Sequence, residues 1–386
     1  MVRSTRYYAV AALLVSAILS AVTPREMMAQ GESAVPFLLI APNSRASGIG
    51  ESGTGSVDDA SAIFWNPAAL AFLPGQEISI THANWLPQFQ QADLFYDYLN
   101  YRQHIEDIGG TLSGSITYLN LGEFVRTNSS GPTPIEKFKA FEFAVTAGYA
   151  TKVSEGFGVG MNLRFIHSAL SPIGTEGEEG EGIASTISVD LAAMYRPAEL
   201  DVPLIGEIGG RFSAGVNLSN IGPKVTYIDA AQADPLPTNL RLGFGYKLME
   251  DEFNSLVYSL DFSRLLVRRH AEIVDTTGGT RTVIRKGSVD PVYKAIFSVW
   301  GDGSGLRKVN TSMGMEYWYG SPRLIALRVG HFFEDPSFGN RNFWTFGAGI
   351  RYDIYGFDFS YISAAENHPL SDTIRFSLLI GWGVTQ

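Results

Sequence analysis

A period-two alternation of apolar and polar residues repeats in segments of about ten residues from about residue 76 to the end of the chain. In 156–166, Phe157, Val159, Met161, Leu163 and Phe165 share one face, and Gly158, Gly160, Asn162 and Arg164 the other. In 240–248, Leu240, Leu242, Phe244, Tyr246 and Leu248 oppose Arg241, Gly243, Gly245 and Lys247. The segments at 141–149, 211–219 and 374–384 repeat the pattern. A period of two is a strand. The apolar face runs on for ten or so residues, the length a tilted strand needs to cross a bilayer. A strand of a soluble sandwich is nearer five or six. The polar face carries glycine and arginine, which suits a narrow interior more than open water. The expected fold is therefore all-β, a transmembrane antiparallel barrel; a large soluble β-sandwich is the competing reading.

Composition agrees. Hydrophobic residues are 45 % of the 386, ordinary for a soluble protein, while aromatics reach 12 %, glycine counts 41 and charged residues are only 18 %. Alternating strands give such a neutral average because the polar face cancels the lipid face. There is no cysteine, which excludes disulfide scaffolds, thiolate metal sites and thiol nucleophiles. A net charge of −10 argues against nucleic acid, whose phosphates need a basic face.

Strand segments fall near 76–85, 111–121, 138–151, 156–169, 184–196, 209–219, 238–248, 254–265, 291–299, 309–319, 323–333, 342–352, 355–363 and 372–384, about fourteen in all. An even number lets both termini sit on the periplasmic side. One conflict stands: the short turns at 152–155 and 353–354 fall on opposite sides under this count, which points to an error within 265–300. Trp85, Tyr195, Tyr317, Trp318, Tyr319, Tyr352, Tyr355, Tyr361 and Trp382 sit at segment ends, as in interfacial aromatic girdles or as ordinary cross-strand packing.

The N-terminus divides the chain. Arg3 and Arg6 precede an apolar run from Tyr7 to Val22 and small residues near Ala29, the layout of a secretory signal peptide over 1–29. Residues 30–75 form a plug or periplasmic segment, and 76–386 the outer-membrane barrel. Asp58 to Leu70 reads as a short helix that Pro67 ends or bends.

Nothing in the motifs points to catalysis, a cofactor or a metal. His82, His104, His167, His270, His331 and His368 lack metal-ligand spacing, and no Gly-x-Ser-x-Gly elbow occurs. The run Glu176-Gly-Glu-Glu-Gly-Glu181 reads as a solvated acidic loop, with Ca²⁺ binding or docking as alternatives. Arg264, Arg268 and Arg269 could face lipopolysaccharide phosphates or snorkel at the interface.

Two blocks carry a resemblance. Residues 36–51 read Pro-Phe-Leu-Leu-Ile-Ala-Pro-Asn-Ser-Arg-Ala-Ser-Gly-Ile-Gly-Glu, and 64–72 read Phe-Trp-Asn-Pro-Ala-Ala-Leu-Ala-Phe. Asn66-Pro67-Ala68 resembles the N-terminal motif of the FadL-like barrel superfamily. With Ile78-Ser79-Ile80, Trp85-Leu86, Gly356–Tyr361, Asn367–Leu370 and Ile374–Leu379, the set resembles the PorV family of the type IX secretion system of Bacteroidetes over essentially the whole mature chain. One departure is the ending Gly381-Trp-Gly-Val-Thr-Gln386, where many barrels finish on an aromatic residue.

The resemblance implies a FadL-like barrel with no chemistry of its own. It would bind secreted cargo through a conserved C-terminal domain. It would carry that cargo from a giant translocon barrel to a PorU-like sortase complex that attaches it to lipopolysaccharide. Contacts are expected from the loop 86–110, with Phe89, Phe95, Tyr96, Tyr98 and Tyr101, and from Glu176, Glu178, Glu179 and Glu181, because dense exposed aromatics mark interfaces. Arg45, Trp65, Asn66 and Pro67 belong to the family blocks, with Asn66 and Pro67 read as structural more than as a gate. The alternatives are a FadL-like transporter of hydrophobic small molecules and a lipid A deacylase.

Overall fold

The computed structural model describes residues 33–383 apart from 90–92, 129–130, 172–180, 229–232, 271–272, 276–281, 286 and 367. The leader expected at 1–29 and Glu176, Glu178 and Glu179 lie outside the described residues.

Fourteen strands close into an antiparallel barrel. They are β1 (Gln76–Asn84), β2 (Phe95–Ile105), β3 (Gly110–Asn128), β4 (Gly131–Ser154), β5 (Phe157–Ser171), β6 (Gly182–Tyr195) and β7 (Phe212–Ile221). The second half is β8 (Asn239–Glu250), β9 (Asn254–Leu265), β10 (Asn310–Tyr319), β11 (Ile325–Phe333), β12 (Asn342–Tyr352), β13 (Tyr355–Ala364) and β14 (Ile374–Trp382). Each strand pairs with its sequence neighbours, and β14 returns to β1 with Gln76 opposite Trp382 and Ala83 opposite Arg375.

Burial is inverted relative to a soluble protein. On β11, Ile325, Leu327 and Val329 face outward while Arg328 is buried; on β5, Met161, Leu163 and Phe165 face outward while Asn162 and Arg164 are buried. Within the closed wall each strand is paired on both sides, so an apolar belt of this kind belongs in a bilayer and not in water. The soluble sandwich is excluded by the closure of the sheet.

The strand count is as expected, but two of its members are not. The segment 291–299 is a helix, Val292–Ser298. Tyr293, Phe297 and Trp300 stand at helical spacing on its exposed side, and Ala295 and Val299 on its buried side. A short apolar run satisfies both periods, and Pro291 opens it as a helix cap. The missing strand is β2, which lies within the expected loop 86–110. It carries aromatics on both faces: Tyr96 and Tyr98 are 1 % exposed and point into the lumen, so the apolar-out rule hid it. With β2 restored, the turns 155–156 and 353–354 fall on one end, together with 106–109, 251–253 and 320–324. The two termini of the barrel share that end, which is the periplasmic end of an outer-membrane barrel. The longer connections, 85–94, 222–238 and 266–309 among them, lie at the other.

β3 and β4 outrun their neighbours. Pairing of β2 with β3 stops at Asn120, and pairing of β5 with β4 stops at Phe141. From Asn120 to Asn128 the hairpin rises beyond the barrel by about 26 Å, at about 3.3 Å per residue. A bulge at Gly122, with φ of 85°, turns it where it leaves the wall.

Candidate functional site

Before β1 the chain folds back into the lumen. Irregular backbone at membrane depth must find its hydrogen bonds inside the protein, and polar residues on the inward face of the strands supply them around the whole circumference. Asn162 Nδ2 donates to Ile63 O (2.7 Å), Asn217 Nδ2 to Trp65 O (3.1 Å), Thr111 Oγ1 to Leu70 O (2.9 Å) and Ser213 Oγ to Gly55 O (2.6 Å). From the plug, the Gly53 and Thr54 amides donate to Asp261 (2.9 and 2.8 Å), Gly50 N to Thr345 Oγ1 (2.8 Å) and Ser44 N to Ser377 Oγ (3.0 Å).

The helix expected over Asp58–Leu70 is two pieces, Ala62–Trp65 and a 3-10 turn Pro67–Phe72, broken at Asn66-Pro67. Asn66 is fully buried. Its Oδ1 accepts from Ala68 N (3.1 Å), capping the second piece, and its Nδ2 donates to Thr54 O (2.9 Å) and Ala193 O (3.1 Å). Pro67 occupies the first position of that turn, where no amide is needed. Trp65 is buried, donates Nε1 to Asn43 Oδ1 (2.9 Å) and lies 4.9 Å from the Arg241 guanidinium. We expect Asn66→Asp to destabilise more than Asn66→Ala. Alanine forfeits a cap worth about 0.5–2 kcal/mol, whereas aspartate keeps that cap but aims a buried carboxylate oxygen at two carbonyl oxygens. Thermal loss of the compact band in unheated gel electrophoresis checks the order; equal midpoints would refute it.

Arg45 anchors the plug to the wall. It forms two bonds to Glu316 on β10 (2.7 and 2.5 Å), one to Asp59 (3.1 Å) and a short one to Asp58. Glu316 is shared with Arg328 of β11 (2.7 Å), which reaches Asp358 of β13 (2.8 Å), itself held by Arg351 (2.7 Å). Arg323 closes the chain on Asp58 (3.1 Å). On the opposite wall Arg164 pairs with Asp190 (2.7 Å), whose other oxygen accepts from Asn220 N (2.8 Å). Arg45 apart, sequence reasoning singled out none of these as site residues. The available signal was a lone charge on a membrane strand, as in Leu327-Arg328-Val329 or Phe357-Asp358-Phe359.

These ion pairs occupy the lumen from wall to plug. A cavity of about 350 Å³ opens at the periplasmic end, lined among others by Arg45, Asp58, Arg196, Arg211, Glu316 and Arg323. The residues expected at contacts are scattered. Phe89 is exposed in the loop 85–94, and Glu181 is exposed at the foot of β6. Phe95 and Tyr101 lie on β2, half-buried, and Tyr101 OH donates to Gln76 and Gln103 side chains. Tyr96 and Tyr98 line the lumen and present nothing outward.

The connection 266–309 supplies a platform at the loop end. Arg264 is 2 % exposed and donates to Val299 O and Gly305 O (2.6 Å each), and Arg268 donates to Ser298 O. Arg269 pairs with Asp234 (2.5 Å). The basic run therefore ties loops together instead of offering Arg264 and Arg268 to lipid phosphates. Lys294, Ser298 and His270 hold the Asp290 carboxyl down at about 2. The platform leaves Tyr293 and Phe297 more than two-thirds exposed, beside Trp300 and Leu306.

A family model described as the type IX secretion system protein PorV matches residues 25–272, more than half of the chain. The chain belongs to the PorV family. No curated protein matches it in sequence. Among solved structures it is similar to the toluene transporter TbuX of Ralstonia pickettii, with 12 % identity, a TM-score of 0.51, and coverage of 88 % of this chain and 98 % of that one. It is similar to the toluene transporter TodX of Pseudomonas putida (11 %, 0.50, 92 % and 99 %) and to the monoaromatic hydrocarbon channel CymD (11 %, 0.52, 89 % and 98 %). At such identities the likeness is one of fold: the FadL-like barrel expected from Asn66-Pro67-Ala68. This PorV-family protein is an outer-membrane β-barrel of the type IX system.

Proposed function

We propose that this barrel is a carrier that works at its outer rim. It binds secreted cargo through a conserved C-terminal domain, accepts it from the giant translocon barrel and hands it to a PorU-like attachment complex at lipopolysaccharide. Export through a leader at 1–29 belongs to the same reading. The observation that carries it is the contrast between the two parts of the barrel. The lumen is filled by the plug and its ion pairs, whereas the loop end raises a free-edged hairpin and an aromatic platform. Phe124, Val125 and Ile135 on the hairpin are each more than 45 % exposed. Both edges of the hairpin are unpaired with other strands beyond Asn120 and Phe141 among the described residues, an arrangement suited to adding a partner strand. Phe89, Glu181, Tyr293 and Phe297 are the further proposed contacts.

A transporter of hydrophobic small molecules on the same fold would need an apolar route through the lumen, whereas the cavity present mixes Ile49, Val57, Phe212 and Val257 with Arg45, Arg196, Arg211, Arg323, Asp58, Asp59 and Glu316. The experiment joins Asn120 to Phe141 by a two-residue turn, removing the hairpin. The barrel in nanodiscs should keep its compact band and lose cargo-domain affinity by about 2 kcal/mol or more, roughly thirtyfold. Unchanged cargo binding and secretion would remove the hairpin from the reading. Unchanged secretion after deletion of the whole chain would sink the reading itself.

A further inference from the structure

One periplasmic connection is unlike the others. Outer-membrane barrels keep their periplasmic turns short, and five of those described here span two to five residues, whereas β6 and β7 are joined by 196–211. This connection folds as a small hairpin, with Asp201 opposite Glu207. Its base is fixed: Glu207 Oε1 accepts from both Leu200 N and Gly209 N (2.6 Å each), and Gly210 N donates to Pro197 O (2.7 Å). Its tip is Val202-Pro203-Leu204-Ile205. Leu204 is 105 % exposed and Ile205 60 %. Leu204 also has φ of 73°, a conformation in which turns ordinarily place glycine or asparagine. A rigid arm thus holds two branched apolar side chains out from the barrel in a place where local structure asks for neither.

We propose that this arm docks into an apolar pocket, rimmed by lysine or arginine, on a periplasm-facing protein. The charge around the tip selects that occupant. Glu199, Asp201 and Glu207 are exposed, and no basic residue occurs between Arg196 and Arg211. The turns of the adjacent hairpins, 155–156 and 251–253, add Glu155, Asp251 and Glu252, against Lys152, Arg211 and Lys247 at the strand ends. Such a rim is repelled by the phosphates of a phospholipid leaflet, and the hairpin lacks the Trp, Tyr and Lys that anchor segments at a membrane surface. A cationic protein surface is attracted by it, and an apolar anchor inside a charged ring is the common anatomy of a protein interface. The inference rests on which end is periplasmic, not on the cargo reading, and the two can fail separately.

The test places the photo-cross-linking residue p-benzoylphenylalanine at position 204 of the full-length protein in its native outer membrane. The expected result is a discrete adduct with one periplasm-exposed protein, mapped by mass spectrometry to apolar residues flanked by Lys or Arg. Its yield should fall about fivefold or more when Glu199→Lys and Asp201→Lys are added, with the compact unheated band showing that the barrel has folded. Glu199→Gln with Asp201→Asn is the milder pair should the reversal not fold, and it should lower the yield in the same direction. Adducts to phospholipid, no adduct, or a protein adduct whose yield ignores the charge changes would each overturn the proposal.

Discussion

Gly330→Val is expected to drive the plug from the barrel while leaving the wall closed. A Cβ at Gly330 would stand 2.0 Å from Gly50 N and 2.1 Å from Ile49 C. Both contacts are backbone, so no rotamer relieves them. Gly50 cannot readily give way, because it holds φ of 76° and donates to Thr345. Overpacking a core costs about 1–3 kcal/mol where side chains can shift; here the upper end is the starting point. On the other side Gly330 is paired to Gly314 and Thr345 in the ladders of β11, and breaking those exposes backbone to lipid. The plug is the cheaper element to lose. The wild-type protein in a planar bilayer should be silent, and Gly330→Val should show discrete conductance steps and protease cleavage near residue 50. Gly381→Val is the control, since its nearest contact would be 3.7 Å away. A silent Gly330→Val protein with unchanged thermal stability would mean that plug and wall are not packed together at this point.

The same close approach explains what the sequence did and did not disclose. Period two, strand length and the glycine-arginine polar face were sufficient for a membrane barrel, because lipid on one side and a crowded lumen on the other impose that pattern residue by residue. β2 escaped because Tyr96 and Tyr98 face plug residues instead of water, which erased the contrast between its faces. The helix at Val292–Ser298 entered in its place because seven residues support either period. The two errors cancelled in the count and appeared only as the conflict between the turns at 152–155 and 353–354. The plug's contacts were not legible for another reason. Arg45 meets Glu316 across 271 residues of sequence, and nothing local to either residue selects the other. Asn66-Pro67 could be read as a break in the helix because capping is local; the carbonyls that Asn66 also serves, at Thr54 and Ala193, could not.

Arg328→Met should cost about 3–5 kcal/mol, the range for removing one partner from a buried ionic cluster. Arg328 has a side chain 0 % exposed and lies between Glu316, at 5 %, and Asp358, at 1 %. It reaches Asp358 across β12 only because Gly349 stands in the gap, where a Cβ would lie 2.3 Å from Asp358 Oδ1. Methionine keeps the length and abandons both carboxylates, leaving Glu316 to Arg45 and Asp358 to Arg351. The cost is therefore mostly desolvated negative charge, and that makes a second measurement decisive. Adding Asp358→Asn removes the negative charge that Arg328 no longer balances, so the double variant should be less destabilised than the sum of the singles by about 1–3 kcal/mol. Urea titration of the compact gel band in lipid vesicles measures all three. Strict additivity, or a single-variant cost below about 1 kcal/mol, would mean that water already screens the cluster. A wet cluster could not hold Arg45, and with it the plug, against the wall, and the silence expected of the wild-type barrel would then need another cause.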